Sequence, residues 1–450
     1  MRPDLLRKFE AQRVPRYTSY PTSPHFTHPI DDDAYRRWLS AIPEDASLSV
    51  YLHVPFCRTL CWYCGCHTKI VAHDAPITAY LDALEREIDL VAAALPRRMA
   101  IAHLHWGGGT PTIMAPEAFL RLMTHLRERF AFSAATEIAV EIDPRRIAQP
   151  MIDALAASGV TRVSLGVQTF DPVVQKAINR IQSFEQTARA TEALRAAGVA
   201  GVNFDLIYGL PHQTAESCKE TVEQALRLAP DRFAVFGYAH LPALKAHQRL
   251  IDEAALPGAA ARFAQFQTIA ERLTAAGYRR IGLDHFARPG DDLARCQDAG
   301  TLHRNFQGYT SDPSTILVGF GASAIGTFPE GYVQNAPAIR EYRNALAENR
   351  LPVRRSRTLT PEDRLRGDII ERIMCDFGVD IGAAIARHGV TDICFDTEFA
   401  QLRDLERDGI VRLDGLTVRV EEPFWPLVRS VAAVFDAYLQ PEANRHAAAV

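Results

Sequence analysis

The chain has 450 residues, with 50 Lys and Arg against 54 Asp and Glu, 47% hydrophobic and 23% charged residues, and eight cysteines. That length buries ample core without disulfide staples or structural metal, and at about 150 residues per domain it favours two or three domains. A formal net charge of −4 offers no molecule-wide field toward polyanions, so neither nucleic-acid binding nor membrane insertion is expected.

Met1 to Arg16 is charged throughout and lacks an apolar stretch ahead of a cleavage site, so a cytoplasmic protein is expected. The longest uncharged stretches, residues 99–116 and 314–329, are broken by Gly, Pro or His and do not read as membrane spans.

In chain order, an arm rich in Pro and Tyr occupies residues 1–46. A strand over 47–54 then delivers the chain into a cysteine cluster. Five more strands are predicted over 101–106, 137–142, 162–167, 201–207 and 232–238. Amphipathic Ala- and Leu-rich helices separate them, such as 77–94, 116–129 and 215–228. Six βα units imply a parallel sheet over residues 47–280, curled into a full or partial barrel or left open. Residues 281–350 read as a loop-rich extension of the barrel, and the basic stretch 352–357 as a linker. The remainder, 358–450, carries predicted helices over 361–377, 396–408 and 426–439 around a hairpin at 410–419 with an Asp414-Gly415 turn, a winged-helix-like pattern. From Asp404 to Glu422 acidic residues outnumber basic ones, which favours a lid or packing partner over a DNA-reading module.

Cys57, Cys61 and Cys64 follow the first strand at the spacing Cys-x3-Cys-x2-Cys, with Cys66 two residues on. Cys218, Cys296, Cys375 and Cys394 are scattered. Such clustering in a large cytoplasmic chain points to metal or redox chemistry. Three thiolates on one compact loop can hold three irons of a cubane and leave the fourth iron open. Zinc competes, although it usually draws Cys pairs from separated segments. Packed cysteines acting as small hydrophobes are the least favoured reading, since chance rarely groups four beside a strand end.

Polar residues recur near the C-terminal strand ends, where βα barrels carry reactive groups. Tyr51 lies on the first strand, Gly107 to Thr110 follow the second, Glu141 nears the end of the third, Gln168 follows the fourth and Asp205 sits within the fifth. Polar side chains among Val and Ile are costly unless paired or solvated in a site. The triple glycine admits close approach of a ligand to the backbone but lacks the Lys-Ser/Thr of a phosphate loop. Gly319-Phe320-Gly321-Ala322-Ser323-Ala324 matches a dinucleotide fingerprint only loosely. His103 and His105, at i and i+2, read as packed or hydrogen-bonded rather than metal-binding.

Cys57-x3-Cys61-x2-Cys64 is similar to the radical S-adenosylmethionine (SAM) signature. The surrounding words resemble the oxygen-independent coproporphyrinogen III oxidase family: Pro15 to Pro21 (PRYTSYP), Tyr51 to Cys57 (YLHVPFC), Leu104 to Thr112 (LHWGGGTPT), Asp205 to Pro211 (DLIYGLP), Tyr238 to Pro242 (YAHLP), Asp284 to Arg288 (DHFAR) and Leu302 to Tyr309 (LHRNFQGY). Cys66 favours this family over related haem-chaperone proteins, which usually carry Phe there.

The resemblance implies an α/β fold: a partial (β/α)6 radical-SAM barrel with an N-terminal arm and a mostly helical, winged-helix-like C-terminal domain. It implies a [4Fe–4S] cluster on Cys57, Cys61 and Cys64, and two S-adenosylmethionine molecules contacted by Tyr51, Tyr63, Gly108, Gly109, Thr110, Glu141, Gln168, Arg180, Asp205, Ala239 and Ile325. Cys66 is either a catalytic residue or a packed side chain under the loop. The implied reaction converts two propionates of coproporphyrinogen III to vinyl groups through a 5′-deoxyadenosyl radical, giving protoporphyrinogen IX. It needs a reducing electron donor for the cluster and a terminal electron acceptor; a monomer is expected. Candidate partners for the substrate carboxylates are Arg13, Arg16, Arg288, His303 and Arg304, since cations, guanidinium above all, match carboxylates. Gly237 stands where the family leads us to expect Asn, which puts one polar contact near the second cofactor in doubt. A haem-binding chaperone on the same framework is the alternative, and it predicts stable haem binding without a vinyl product.

Overall fold

The computed structural model describes residues 3–10, 12–390 and 392–439. Six strands lead the fold: β1 (Ser47–Val54), β2 (Ala100–Gly108), β3 (Glu137–Ile142), β4 (Arg162–Gln168), β5 (Gly201–Tyr208) and β6 (Arg232–Gly237). Each neighbouring pair is parallel and in sequence order. Alternation fixes their faces. In β3, Ile138, Val140 and Ile142 are buried, while Glu137, Ala139 and Glu141 between them are half-buried.

Helices α1 (Ala75–Ala94), α2 (Pro116–Arg129), α3 (Gln149–Ala157), α4 (Phe184–Ala196), α5 (Ala215–Arg227) and α6 (Ala259–Ala275) form the connections and the segment after β6. Local chemistry starts two of them sharply. Ser183 with Gln186 and Thr214 with Ser217 form reciprocal capping boxes on α4 and α5.

The stretch expected to be loop-rich contributes further strands instead: β7 (Arg279–Ile281), β8 (His285–Ala287), β9 (Leu317–Phe320), β10 (Ile325–Phe328) and β11 (Gly331–Asn335). The expected linker at 352–357 is likewise a strand, β12 (Val353–Thr358), paired antiparallel with β11. The sheet order is β12-β11-β10-β9-β1-β2-β3-β4-β5-β6-β8-β7. β9 runs parallel to β1, so seven parallel strands form the curved centre and short antiparallel strands flank it. The arginines of β12 suit a terminal strand, where charge discourages pairing with another chain. The loose dinucleotide fingerprint forms the turn from β9 to β10 rather than a strand-to-helix junction.

The C-terminal region holds α7 (Pro361–Asp376), helices Ile381–His388 and Asp396–Arg407, and the hairpin Val411–Asp414 with Thr417–Val420. The predicted helix over 426–439 is broken into a 3-10 turn Glu422–Leu427, a helix Val428–Ala432 and a second turn Ala433–Phe435. Pro423 and Pro426 remove backbone donors at its start, and Asp436 turns extended at its end.

The N-terminal arm is built into this region. Val14, Tyr17 and Tyr20 are buried in one apolar core with Leu365, Ile369 and Leu402. The Tyr17 hydroxyl donates to Asp436 at 3.0 Å, and Tyr20 accepts from the Ala437 amide at 3.0 Å. Among the described residues no helix is long and apolar enough to cross a membrane.

Candidate active site

A cavity of about 860 Å³ opens at the C-terminal ends of the parallel strands. The chain leaves β1 into a two-residue strand, Phe56–Cys57, which pairs with Lys69–Ile70, so the loop between them is pinned at both ends. Its backbone is held from outside. The carbonyls of Leu60, Tyr63, Cys64 and Cys66 accept from Asn179 (2.8 Å), Gln248 (3.0 Å), His247 (2.7 Å) and Lys245 (3.2 Å). The Trp62 amide donates to Ile178 at 3.0 Å.

All four thiols of this loop face the cavity. The hydroxyls of Thr68 and Thr110 each lie 3.4 Å from the Cys57 sulfur. Arg180 and Arg145 point guanidinium nitrogens at the Cys61 sulfur, at 3.5 and 3.8 Å. Asp143 orients both arginines, accepting from Arg145 at 2.8 and 2.6 Å and meeting Arg180 at 3.5 Å. Burial works against that carboxylate, but the Arg145 hydrogen bond and the Arg180 charge hold it below its usual range. Burial raises the Cys57 thiol, partly offset by the two threonine hydroxyls. A hydrogen bond from Cys66 lowers Cys64 to about 6 and pushes Cys66 well up.

This donor set fits an iron–sulfur cluster. Three thiols, Cys57, Cys61 and Cys64, lie on one pinned loop at the cavity. Each thiolate of a cubane binds a different iron, so three on one loop suffice to hold it and leave the fourth iron open. N–H and O–H donors around the sulfurs are the partners that anionic thiolates require.

A second wall is acidic and amide-rich. Glu141 accepts from the Gly108 amide at 3.1 Å and meets His105 Nε2 at 3.2 Å. Ser164 donates to Asp205 at 2.9 Å, as does the Asn203 amide at 2.8 Å. Burial pushes the Asp205 carboxyl up to about 7; these hydrogen bonds lower it, while the neighbouring Glu141 charge raises it. Gln168 sits at a bulge ending β4 with φ of 68°, and its buried Oε1 has no donor among the described residues. An orphaned acceptor on a cavity wall, carried by a strained backbone, calls for a ligand donor.

Of the residues expected from sequence, Cys57, Cys61, Cys64, Cys66, Tyr63, Gly108, Gly109, Thr110, Glu141, Gln168, Arg180, Asp205 and Ala239 line this cavity. Tyr51 and Ile325 do not. Tyr51 lies behind the wall, its hydroxyl 3.0 Å from His53 Nδ1 and its ring stacked on His105. Ile325 begins β10, and its backbone packs against Gly319 of β9.

The triple glycine has a packing reason. A Cβ at Gly109 would lie 2.5 Å from the Phe56 carbonyl oxygen, and one at Gly107 would lie 2.9 Å from both Glu141 and Tyr51. The glycines let the end of β2 nest against β1 and its loop as well as expose backbone to the cavity.

The cationic candidates divide. Arg16 and Arg304 line the cavity. Arg288 does not belong there: it donates to the carbonyls of Ala229 (2.8 Å) and Pro230 (3.2 Å), just before β6 starts and thus at the opposite end of the barrel. His303 pairs with Glu371 at 3.2 Å outside the wall, and Arg13 donates to Glu10. His103, beside Glu137 and Asp312, also lies at the far end.

Sequence reading passed over Asp143, Arg145 and Thr68, although Asp143 and Arg145 immediately follow a predicted strand end. It also passed over Arg262 on α6. At Gly237, a Cβ would lie 2.9 Å from the Tyr208 hydroxyl and 3.3 Å from Arg262, so those two side chains fill the space an Asn would take.

Comparison with known proteins shows the family. Residues 51–225 match the radical SAM superfamily. The chain is 56% identical to an oxygen-independent coproporphyrinogen III oxidase of Bradyrhizobium diazoefficiens over 450 residues, covering 100% of both chains. It is 44% identical to the enzyme of that name from Paracoccus denitrificans, covering 99% of this chain and 98% of that one. The chain belongs to the oxygen-independent coproporphyrinogen III oxidase family. A solved coproporphyrinogen III oxidase of Escherichia coli, described as a radical SAM enzyme, superposes with a TM-score of 0.88 at 38% identity. It covers 95% of this chain and 100% of its own. The superfamily match spans β1 to α5, the strand ends that carry the thiols and acids. The similarity to family members extends through β6, the flanking strands and the C-terminal region.

Proposed function

We propose that this chain catalyses the oxygen-independent oxidative decarboxylation of coproporphyrinogen III to protoporphyrinogen IX in haem or related tetrapyrrole synthesis, turning two propionates into vinyl groups. The observation that carries the reading is the meeting of a three-thiol loop, an acidic amide-rich wall and two arginines in one cavity. Identity across the whole length of relatives with this printed name supports it. When bound, a [4Fe–4S] cluster and S-adenosylmethionine would supply the radical chemistry that removal of a hydrogen atom from a propionate β-carbon requires.

The chain supplies placement and charge. Cys57, Cys61 and Cys64 hold the cluster, with Arg145 and Arg180 stabilising the charge on Cys61. Glu141, Asp205, Gln168, Arg180, Tyr63, Ala239 and the backbone of Gly108 to Thr110 hold two S-adenosylmethionine molecules, while Tyr51 and Ile325 support that wall from behind. Cys66 presents its sulfur to the cavity as a catalytic thiol.

Arg16 and Arg304 bind substrate carboxylates. Arg262 stands outside the cavity lining, beside Gly237, and its buried Nε has no acceptor among the described residues. Burial, together with the Arg16 and Arg13 charges, disfavours its charged form. The cysteines form no disulfide among themselves, which suits a reducing cytoplasm.

The test is anaerobic reconstitution with iron and sulfide, followed by mass spectrometry of coproporphyrinogen III incubated with S-adenosylmethionine and a reductant. Loss of two CO2 is expected. A protein with its cluster intact by EPR and no such loss overturns the reading.

A further inference from the structure

The chain leaving β6 doubles back over the thiol loop, and the residues that grip the loop lie on or beside one short turn, Ala246–Leu250. Lys245, just ahead of the turn, donates to the Cys66 carbonyl at 3.2 Å, and His247 donates to the Cys64 carbonyl at 2.7 Å. The Gln248 side chain reaches two walls at once. Its Nε2 donates to the Tyr63 carbonyl at 3.0 Å and to the Ala239 carbonyl at 3.2 Å, while its Oε1 accepts from the Leu241 amide at 2.5 Å. These partners fix which way the amide points, because carbonyls only accept and a backbone N–H only donates.

Gln248 is 1% exposed, so the three bonds are made away from water. A buried amide with both donor hydrogens and its oxygen engaged has no freedom to turn, and removing it takes a donor from two carbonyls at once. Tyr63 and Ala239 both line the cavity, one on the thiol loop and the other just past the end of β6. Two walls far apart in sequence are therefore held on a single nitrogen. Apolar packing of Val174, Ile178, Tyr238 and Ile251 against Trp62 and Tyr63 backs the same stretch of loop. The bonds that join Glu141 to Gly108 and His105 form a separate network, in which Gln248 takes no part.

We propose that Gln248 is a positioning residue for the second S-adenosylmethionine, the one expected beside Gly237: it sets the spacing between the Tyr63 and Ala239 walls that flank this molecule. The inference rests on the reading that Cys57, Cys61 and Cys64 carry a cluster and that two S-adenosylmethionine molecules bind. Gln248 acts through the backbone it holds and touches neither molecule.

The test uses holoprotein reconstituted anaerobically with iron and sulfide, and S-adenosylmethionine as the probe. Bound molecules per chain are counted by equilibrium dialysis, and the cluster is followed by iron content and EPR. Wild type is expected to bind two molecules. Gln248→Met keeps the bulk and loses the three bonds. It is expected to weaken one of the two sites about 10-fold or more, while iron content and the EPR change that accompanies binding at the open iron stay as in wild type. Lys245→Met loosens the same loop without releasing the wall at β6, and it is expected to keep both sites. Gln248→Glu keeps the shape and the acceptor for Leu241, loses at least one donated bond, and is read in the same way if Gln248→Met fails to hold iron. Two sites of wild-type affinity in a Gln248 variant overturn the proposal. Equal weakening in Lys245→Met also overturns it, because that reports general loosening of the loop, as does loss of iron from both Gln248 variants. A wild-type protein that assembles no cluster, or that binds a single molecule, overturns the underlying reading instead.

Discussion

At Cys61, two guanidinium groups do different work from the hydroxyls at Cys57, because they bring full positive charge within 4 Å of the sulfur. Charge there favours the more reduced, more negative cluster. Arg180→Gln is expected to lower the cluster midpoint potential, measured by EPR-monitored redox titration. The cavity arginines act on a different quantity. Arg16→Gln or Arg304→Gln is expected to raise the substrate KM about 10-fold with kcat nearly unchanged, since binding of a carboxylate remote from the reacting carbon is uniform. Arg288→Gln is expected to change neither, because that residue lies at the other end of the barrel. The cysteines, Glu141 and Asp205 were legible in the sequence because they interrupt apolar strands or cluster beyond chance. Arg262 was not, since an arginine on an amphipathic helix is ordinary until the fold brings it to a glycine at a strand end.

At the scale of elements, Glu87 couples α1 to the strands beside β1. Its side chain is buried and accepts from the Gly321 amide (2.7 Å), the Asn335 amide (2.6 Å) and the Tyr342 hydroxyl (2.7 Å). Burial pushes its carboxyl up to about 7 from 4.5, against those hydrogen bonds. Between these values the folded chain binds more protons than the unfolded chain, so stability falls as pH rises through the window and levels off above it. Chemical denaturation is expected to show a loss of up to about 3 kcal/mol across that range in wild type, and no such slope from this site in Glu87→Gln. The six leading strands could be read from sequence because each carries enough Val, Ile and Leu to set a period. β9 and β10 are four residues each and contain Gly. β12 is rich in Arg, a composition that suits a terminal strand but resembles a linker in isolation.

Across the whole molecule, the arm joins the C-terminal region to the cavity. Tyr17 is buried among C-terminal residues, while Arg16 beside it donates to the Gly237 carbonyl at 2.8 Å and contributes to the cavity wall. Tyr17→Ala is expected to cost about 3 kcal/mol, visible as a lower Tm in calorimetry. It is also expected to raise the substrate KM, because Arg16 loses its seat. A change confined to one of the two readouts would separate the arm's packing from its place at the cavity.

The bond between Tyr17 and Asp436 spans 419 positions of sequence. At about 5–20 residues per second, a ribosome takes roughly 20–80 s to travel between them. Over that interval the barrel strands emerge in turn and can pair, while Arg16 has no C-terminal core to anchor it. The contact that seats Arg16 at the cavity wall therefore closes late in synthesis, after the strands whose ends form that cavity have been made.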